Sequence, residues 1–524
     1  MPPLIGAIFR ENIHRNIEEV IKVDALDDAV LLEEINEYHP TPSIQSQMAT
    51  VLEAYSALRS SPTTQKIGVW VSGFFGAGKS SFAKLLGVLL ESRKIGHKDA
   101  VELFSARITD NRIKVLLGQI REHLPTHVVI FDILKDNIAG AKEHPVTTVM
   151  YKALLRSLGY ATDLDLAELE IELELRKELE AFKVKYAELY PGRTWDQGKR
   201  LTMSAINEAS RARHEMDRAT YNAADSWARS RAKAEITPRK LAERVLQLSK
   251  ARAAGRNVVF VVDEIGQYTA KDVTRIGDLQ GVVESFSLVG KGKIWLIATS
   301  QEKLEAIVNI WETDRSDLVR LKDRFAFPVD IKSTDIREVA SHRVLAKSGE
   351  AEKALRSLYG SHSGKLKLAT TVAATSTLPT LDEDAFVRLY PLLPYQVDLL
   401  IDVVSGLRRQ SGGPQTMGGA NRTIIKLAQQ LVVHDKVGLT NQPLGALVTF
   451  DSVYELIATN IASELQQEID EIGRRVDHPF ASRVAKALAL LQFAEAVTSE
   501  ENVAAVLHPA VDAATVLPQV REAV

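Results

Sequence analysis

The chain has 524 residues, more than one hydrophobic core organises, so about two to four domains are expected. Its 45% apolar and 25% charged content is that of an ordinary soluble globular protein, and a formal net charge of −3 leaves any DNA contact to a local basic face. With Cys 0, disulfides and cysteine metal sites are excluded, and no apolar run approaches the ~20 residues of a membrane helix, so no membrane partner and a cytoplasmic location are expected.

Met-Pro-Pro-Leu-Ile-Gly at the N-terminus lacks the basic and apolar regions of a secretory signal. Residues 1–65 read as a helical segment, with apolar positions at Ile17, Val20 and Ile21 and then at Val30, Leu31 and Ile35. Pro40 and Pro42 interrupt it, and Ser43 is placed to cap an amphipathic helix through Met48, Val51, Leu52, Tyr55 and Leu58. Five short apolar runs follow: Ile67 to Val71, Val128 to Ile133, Val258 to Val262, Ile294 to Ala298 and Phe327 to Ile331. Continuous β-branched runs separated by helices predict an α/β fold with a parallel five-stranded sheet, over residues 66–335.

A charged insertion at about 160–255 interrupts this core. Leu175, Leu179, Phe182, Tyr186 and Leu189 recur at helical spacing, Pro191-Gly192 breaks the pattern, and an Arg-rich stretch follows (Arg200, Arg211, Arg213, Arg218, Arg229, Arg231). The pattern predicts a helical hairpin with one acidic and one basic arm, which either complement each other or offer the basic arm to DNA or a partner. Beyond 335 the pattern is helical, at 335–347, 383–390, 396–409, 420–434 and 451–469, and again from Ser482. Loops are predicted at Gly360 to Thr380 and at Ser411 to Pro414. Residues 336–435 read as a helical lid and 436–524 as a helical C-terminal region, and the absence of a closing element at Val524 suggests a piece of a longer protein.

Gly73-Phe-Phe-Gly-Ala-Gly-Lys-Ser80 matches the Walker A pattern G-x-x-x-x-G-K-[ST] in full. At average residue usage a chain this long matches by chance roughly once in fifty, and here the loop also follows an apolar strand and opens a helix. Gly73, Gly76, Ala77, Gly78, Lys79, Ser80 and Ser81 are therefore read as binding the phosphates of ATP, with Lys79 on the β/γ oxygens and Ser80 on Mg²⁺. Asp263-Glu264 ends a buried strand, the place where open α/β sheets bind ligands. Asp263 is read as the second magnesium residue and Glu264 as the group that polarises the attacking water. The fourth run closes in Thr299-Ser300-Gln301, where a polar side chain can orient that water and also cap the next helix, and Ser300 and Gln301 are read as the nucleotide contacts. Arg324, or Arg320 before it, is either a finger reaching a neighbouring subunit's phosphate or a surface arginine paired with Asp323. Arg422, opening a helix after Gly418-Gly-Ala-Asn, either reaches the nucleotide or is structural. Among the histidines, no pair falls at a useful metal-binding spacing beside carboxylates.

Together these residues resemble the AAA+ ATPases: Walker A, Walker B ending Asp-Glu, a polar sensor position, an arginine before the last strand, and a lid arginine. Ile17-Glu-Glu-Val-Ile-Lys-Val-Asp24, Ile67 to Ser80 and Trp295-Leu-Ile-Ala-Thr-Ser-Gln-Glu-Lys303 are similar, more narrowly, to the large P-loop ATPases of BREX phage-defence systems, the BrxC and PglY family. Many AAA+ proteins have Asn where this chain has Ser300-Gln301. The resemblance implies an N-terminal half with ATPase core and lid, working as a homo-oligomer in excluding phage DNA. It also implies methyltransferase, phosphatase-like and kinase partners. A nucleotide-gated scaffold that turns over little shares every residue of the site. A GTP switch is disfavoured by the lack of an N/T-K-x-D motif, and Asp278-Leu-Gln-Gly281 falls after the Walker B strand.

Overall fold

The computed structural model describes residues 3–17, 22–137, 144–201, 203–269, 272–306, 321–374, 377–410, 424–494 and 496–524, with the backbone alone at 137 and 408–410. Before the sheet lie α1 (Asp28–Glu37) and α2 (Pro42–Ser56). Helix α2 is capped by Thr41 rather than the predicted Ser43. The Thr41 hydroxyl accepts the Ile44 N–H at 3.1 Å, and Pro42 occupies the first helical position, where a missing N–H costs nothing.

Five parallel strands make the sheet: β1 (Gly68–Gly73), β2 (Thr126–Asp132), β3 (Asn257–Asp263), β4 (Ile294–Ser300) and β5 (Phe327–Ile331). Their spatial order is β2-β3-β4-β1-β5. Every residue of β1 and β4 is buried, as continuous apolar runs require when helices cover both faces. Helix α3 (Lys79–Glu91) leaves the end of β1 and packs back over β2, β3 and β4. Because β4 lies between β1 and β3, side chains at its C-terminal end reach the glycine loop on one side and the Asp263-Glu264 pair on the other.

The insertion is not a two-armed hairpin. Helices α4 (Leu164–Leu175), α5 (Leu179–Leu189) and α6 (Ala205–Met216) wrap a small core of their own around Phe182, Tyr186, Trp195 and Trp227, separate from the main one. The predicted first arm breaks between α4 and α5, where Lys177 takes a left-handed φ of 61°. Charges of the two predicted arms do complement each other: Arg231 meets Asp165 at 2.8 Å and Arg213 meets Glu178 at 3.5 Å. Helix α7 (Pro238–Arg252) then returns to pack on α8 (Val273–Gly290), joining the insertion to the core.

The rest of the chain is helical. It begins with α9 (Ser333–Arg343) and α10 (Gly349–Thr370), followed by α11 (Glu383–Leu389), α12 (Pro394–Gln410) and α13 (Ile424–Val433). Helix α10 overturns the first half of the loop predicted at Gly360 to Thr380, whereas 371–374 and 377–380 are irregular as predicted. Ser348 caps it, Leu355, Tyr359 and Leu366 form its buried stripe, and Gly360 and Gly364 lie on its open side. The helix predicted at 451–469 divides into Phe450–Ile457 and Ser463–Arg475, and the one predicted from Ser482 spans Ala481–Phe493. The loop predicted at Ser411 to Pro414 lies outside the described residues. One hydrophobic cluster runs through the N-terminal segment, the sheet and the helical half. Among the described residues no helix is long and apolar enough to cross a membrane.

Candidate functional site

The glycine loop bridges the end of β1 and the start of α3. Gly76 (φ 73°) and Gly78 (φ 92°) are both left-handed, a conformation that glycine adopts without steric cost. A Cβ built on Gly78 would meet nothing within 4 Å, so open space faces the helix N-terminus there. The first N–H groups of any helix lack partners within it and carry the positive end of the dipole, which together suit an anion. The Lys79 side chain is buried and folds over the loop, its Nζ donating to the Phe74 carbonyl at 3.0 Å. These groups fit a polyphosphate.

Three hydroxyl and carboxylate groups converge beside the loop. Asp263 Oδ1 accepts the Ser80 hydroxyl at 2.9 Å and the Thr299 hydroxyl at 2.6 Å. Thr299 Oγ1 in turn accepts the Glu264 N–H at 2.9 Å. Burial raises the Asp263 carboxyl above its usual range; bonds from Thr299 and Ser80 pull it down, the charge of Asp132 pushes it up, and that of Lys79 lowers it. Asp132 ends β2 in register with Asp263, adding a further carboxylate at the same edge of the sheet. An oxygen set of this kind suits Mg²⁺, with Ser80 as ligand and Asp263 holding that hydroxyl or a metal-bound water. Glu264 is half-buried and left-handed at φ 59°, a backbone state costing of order 1–3 kcal/mol in a non-glycine residue. Its N–H bond to Thr299 helps hold it.

The structure thus brings Lys79, Ser80, Asp263 and Glu264 together as the sequence predicts. It places Ser300 and Gln301 elsewhere. The Ser300 hydroxyl accepts the Glu302 N–H at 3.1 Å and packs so tightly on Gly266 that a Cβ there would lie 1.9 Å from its oxygen; Gln301 is exposed. Thr299 is the residue that touches both acids. The signal was in the strand's alternation: Thr299 and Ser300 must face opposite sides, and the sheet order decides which side holds Asp263. Replacing Thr299 with Val removes two buried hydrogen bonds at nearly constant volume. A stability loss of about 1–3 kcal/mol in urea unfolding is expected, and a loss below about 0.5 kcal/mol would show those bonds to be dispensable.

Arg324 is half-buried and pairs with Gln65 instead of Asp323. Its carbonyl accepts the Ile67 N–H, which places it at the start of β1, about 17 Å from the glycine loop at ~3.3 Å of strand per residue. It therefore stands remote from the glycine loop of its own chain. Arg320 and Arg422 lie outside the described residues.

Sequence reasoning missed the cavity beside the loop, of about 490 Å³. Gly76, Gly78 and Ser81 form its end at the helix N-terminus; Val30, Leu31 and Ile35 of α1 form one apolar wall, Leu85 and Val88 of α3 another, and Ile425 of α13 a further side. Lys22, Glu34 and Arg343 add polar groups. The volume is within the ~300–1,000 Å³ of small-molecule sites, and the apolar walls suit a flat heterocycle. No periodicity could have announced a wall drawn from four separate segments. No protein-family model matches this chain.

Proposed function

We propose that the chain binds ATP with Mg²⁺ and hydrolyses it, as an AAA+ type P-loop ATPase. The observation that carries this reading is the junction of Ser80, Asp263 and Thr299 at the mouth of the glycine loop, with Glu264 next in sequence. Lys79, Gly76, Gly78 and Ser81 hold the phosphates, the cavity over α1 and α3 takes the base and ribose, and Glu264 activates water. The strand order with β4 between the loop strand and the acidic strand, and the helical half after β5, support the AAA+ assignment. The narrower role, antiphage defence of the BREX type in the cytoplasm on or near DNA with methyltransferase, phosphatase-like and kinase partners, rests on the sequence stretches that resemble that family.

A homo-oligomer in which Arg324 completes a neighbour's site rests on the resemblance to AAA+ ATPases, and is compatible with the position of Arg324 remote from its own loop. A nucleotide-gated scaffold is the second reading, since a site lacking that neighbour would bind ATP and turn over slowly. ATPase turnover measured across protein concentrations, with and without DNA and partner proteins, separates the two. Rate per subunit is expected to rise with concentration, and to stay low in Arg324→Ala. Equal activity of assembled Arg324→Ala and wild type would remove this arginine from the mechanism, and no turnover under any condition would leave the scaffold.

A further inference from the structure

The joint between the N-terminal segment and the helical half holds a cluster that the nucleotide site does not use. His39, in the turn between α1 and α2, stacks on His342 near the end of α9, with ring centroids 4.2 Å apart and planes 22° from parallel. Glu338 stands one turn before His342 on the same face of α9, and its Oε1 lies 3.6 Å from His39 Nε2. One ligand atom from each of the three residues lies within 4.8 Å of the others. His39 Nε2 is buried and makes no hydrogen bond among the described residues. The sequence reading found no useful histidine pair because the spacing Glu338-x-x-x-His342 is completed by a residue from the other end of the chain.

We propose that His39, Glu338 and His342 form a binding site for a divalent transition-metal ion of the zinc class, with water in the fourth position. Two imidazoles and one carboxylate are the ligand set of open tetrahedral zinc sites, whereas Mg²⁺ prefers oxygen alone. Tetrahedral Zn–N bonds of ~2.1 Å put ligand atoms about 3.4 Å apart, so the three side chains must draw together by about an ångström. The rings must also turn, since imidazole lone pairs lie in the ring planes and these planes stand 22° from parallel. Burial, the facing His342 and Arg107 lower the proton affinity of His39, against the pull of Glu338. Arg107 is held by the Tyr38 carbonyl at 3.1 Å, and the Glu338 carboxylate offsets its positive field at the ion. The neighbouring contacts already join the same two segments: Thr41 donates to Asp335 at 2.6 Å, and Glu37 pairs with Arg343, both of which line the cavity. A metal here would staple α9 to the N-terminal segment at the edge of that cavity.

The test uses the full chain, stripped with a chelator and free of nucleotide, so that its outcome does not depend on the ATPase reading. Zn²⁺ is titrated calorimetrically, and Co²⁺ is followed by visible absorption, where tetrahedral coordination gives intense bands. One saturable Zn²⁺ per chain is expected, together with tetrahedral Co²⁺ bands that Zn²⁺ displaces. His39→Ala and the nearly isosteric Glu338→Gln should each weaken binding at least about a hundredfold, the upper end of what losing outer-shell support alone costs. His97→Ala, an exposed histidine away from the cluster, should change nothing. Circular dichroism confirms that each variant is folded. Absence of saturable Zn²⁺ binding, or folded His39→Ala and Glu338→Gln that bind as wild type does, would overturn the site and leave a stacked histidine pair.

Discussion

Glu264→Gln is expected to bind ATP and to lose turnover by about 10²–10⁴-fold, the usual contribution of a positioned general base. The substitution keeps the side chain's size and leaves untouched the backbone bond from Glu264 to Thr299, which fixes the end of β3. Ser80, Asp263 and Lys79 are likewise unchanged, so the proposed phosphate and magnesium contacts are expected to persist. What disappears is the carboxylate charge of Glu264, next to Asp263 at the end of β3. Lys79→Ala gives the contrasting result: the ammonium that Phe74 now holds over the loop is removed, and nucleotide binding itself is lost. Fluorescent-nucleotide binding and phosphate release, measured on both variants, separate these effects. Wild-type turnover in Glu264→Gln would remove Glu264 as the base. Undiminished nucleotide binding in Lys79→Ala would count against the loop as the phosphate site.

How far the sequence could be read depended on whether each signal was local. The strands were legible because a run such as Val258 to Val262 must be buried on both sides, and the structure extends it by only a residue at each end. The glycine loop was legible for the same reason, since left-handed φ at Gly76 and Gly78 is a property of those residues. Illegible features needed partners from afar. Whether Thr299 or Ser300 meets Asp263 depends on which strand lies next to β4, and the cavity needs α1, α3, α9 and α13 assembled. Gly360 misled because glycine counts as a breaker only where nothing else holds the helix, and Leu355, Tyr359 and Leu366 hold α10. The insertion misled because helical spacing continues across the left-handed Lys177, while its separate core of aromatic residues has no period.

Lys84 is where fold and candidate site depend on each other most directly, and Lys84→Ala is expected to destabilise the protein by about 3 kcal/mol. Its side chain is 2% exposed, and its Nζ donates to the Lys22 carbonyl at 2.9 Å and to Glu34 at 2.8 Å, fastening α1 to α3 across the cavity. Truncation leaves the Lys22 carbonyl and the Glu34 carboxylate without that donor. Glu34 keeps 21% exposure and so recovers some water, which places the effect at the lower end of the ~3–5 kcal/mol seen when one partner of a buried pair is removed. The pH dependence follows from burial, which already raises the Glu34 pKa above 4.5 while its bond and charge pairing with Lys84 lower it. Without Lys84 the folded pKa rises further. The folded state then holds a proton that the unfolded chain has released, so stability falls as pH rises from 4.5 through the folded value. The deficit in urea unfolding should therefore be smallest near pH 4.5 and full at neutral pH. Lys84→Met combined with Glu34→Gln should recover much of it by removing the buried charge as well as its partner. A deficit that is equal at both pH values, or a double variant no better than Lys84→Ala, would show that lost packing and not the stranded carboxylate sets the cost.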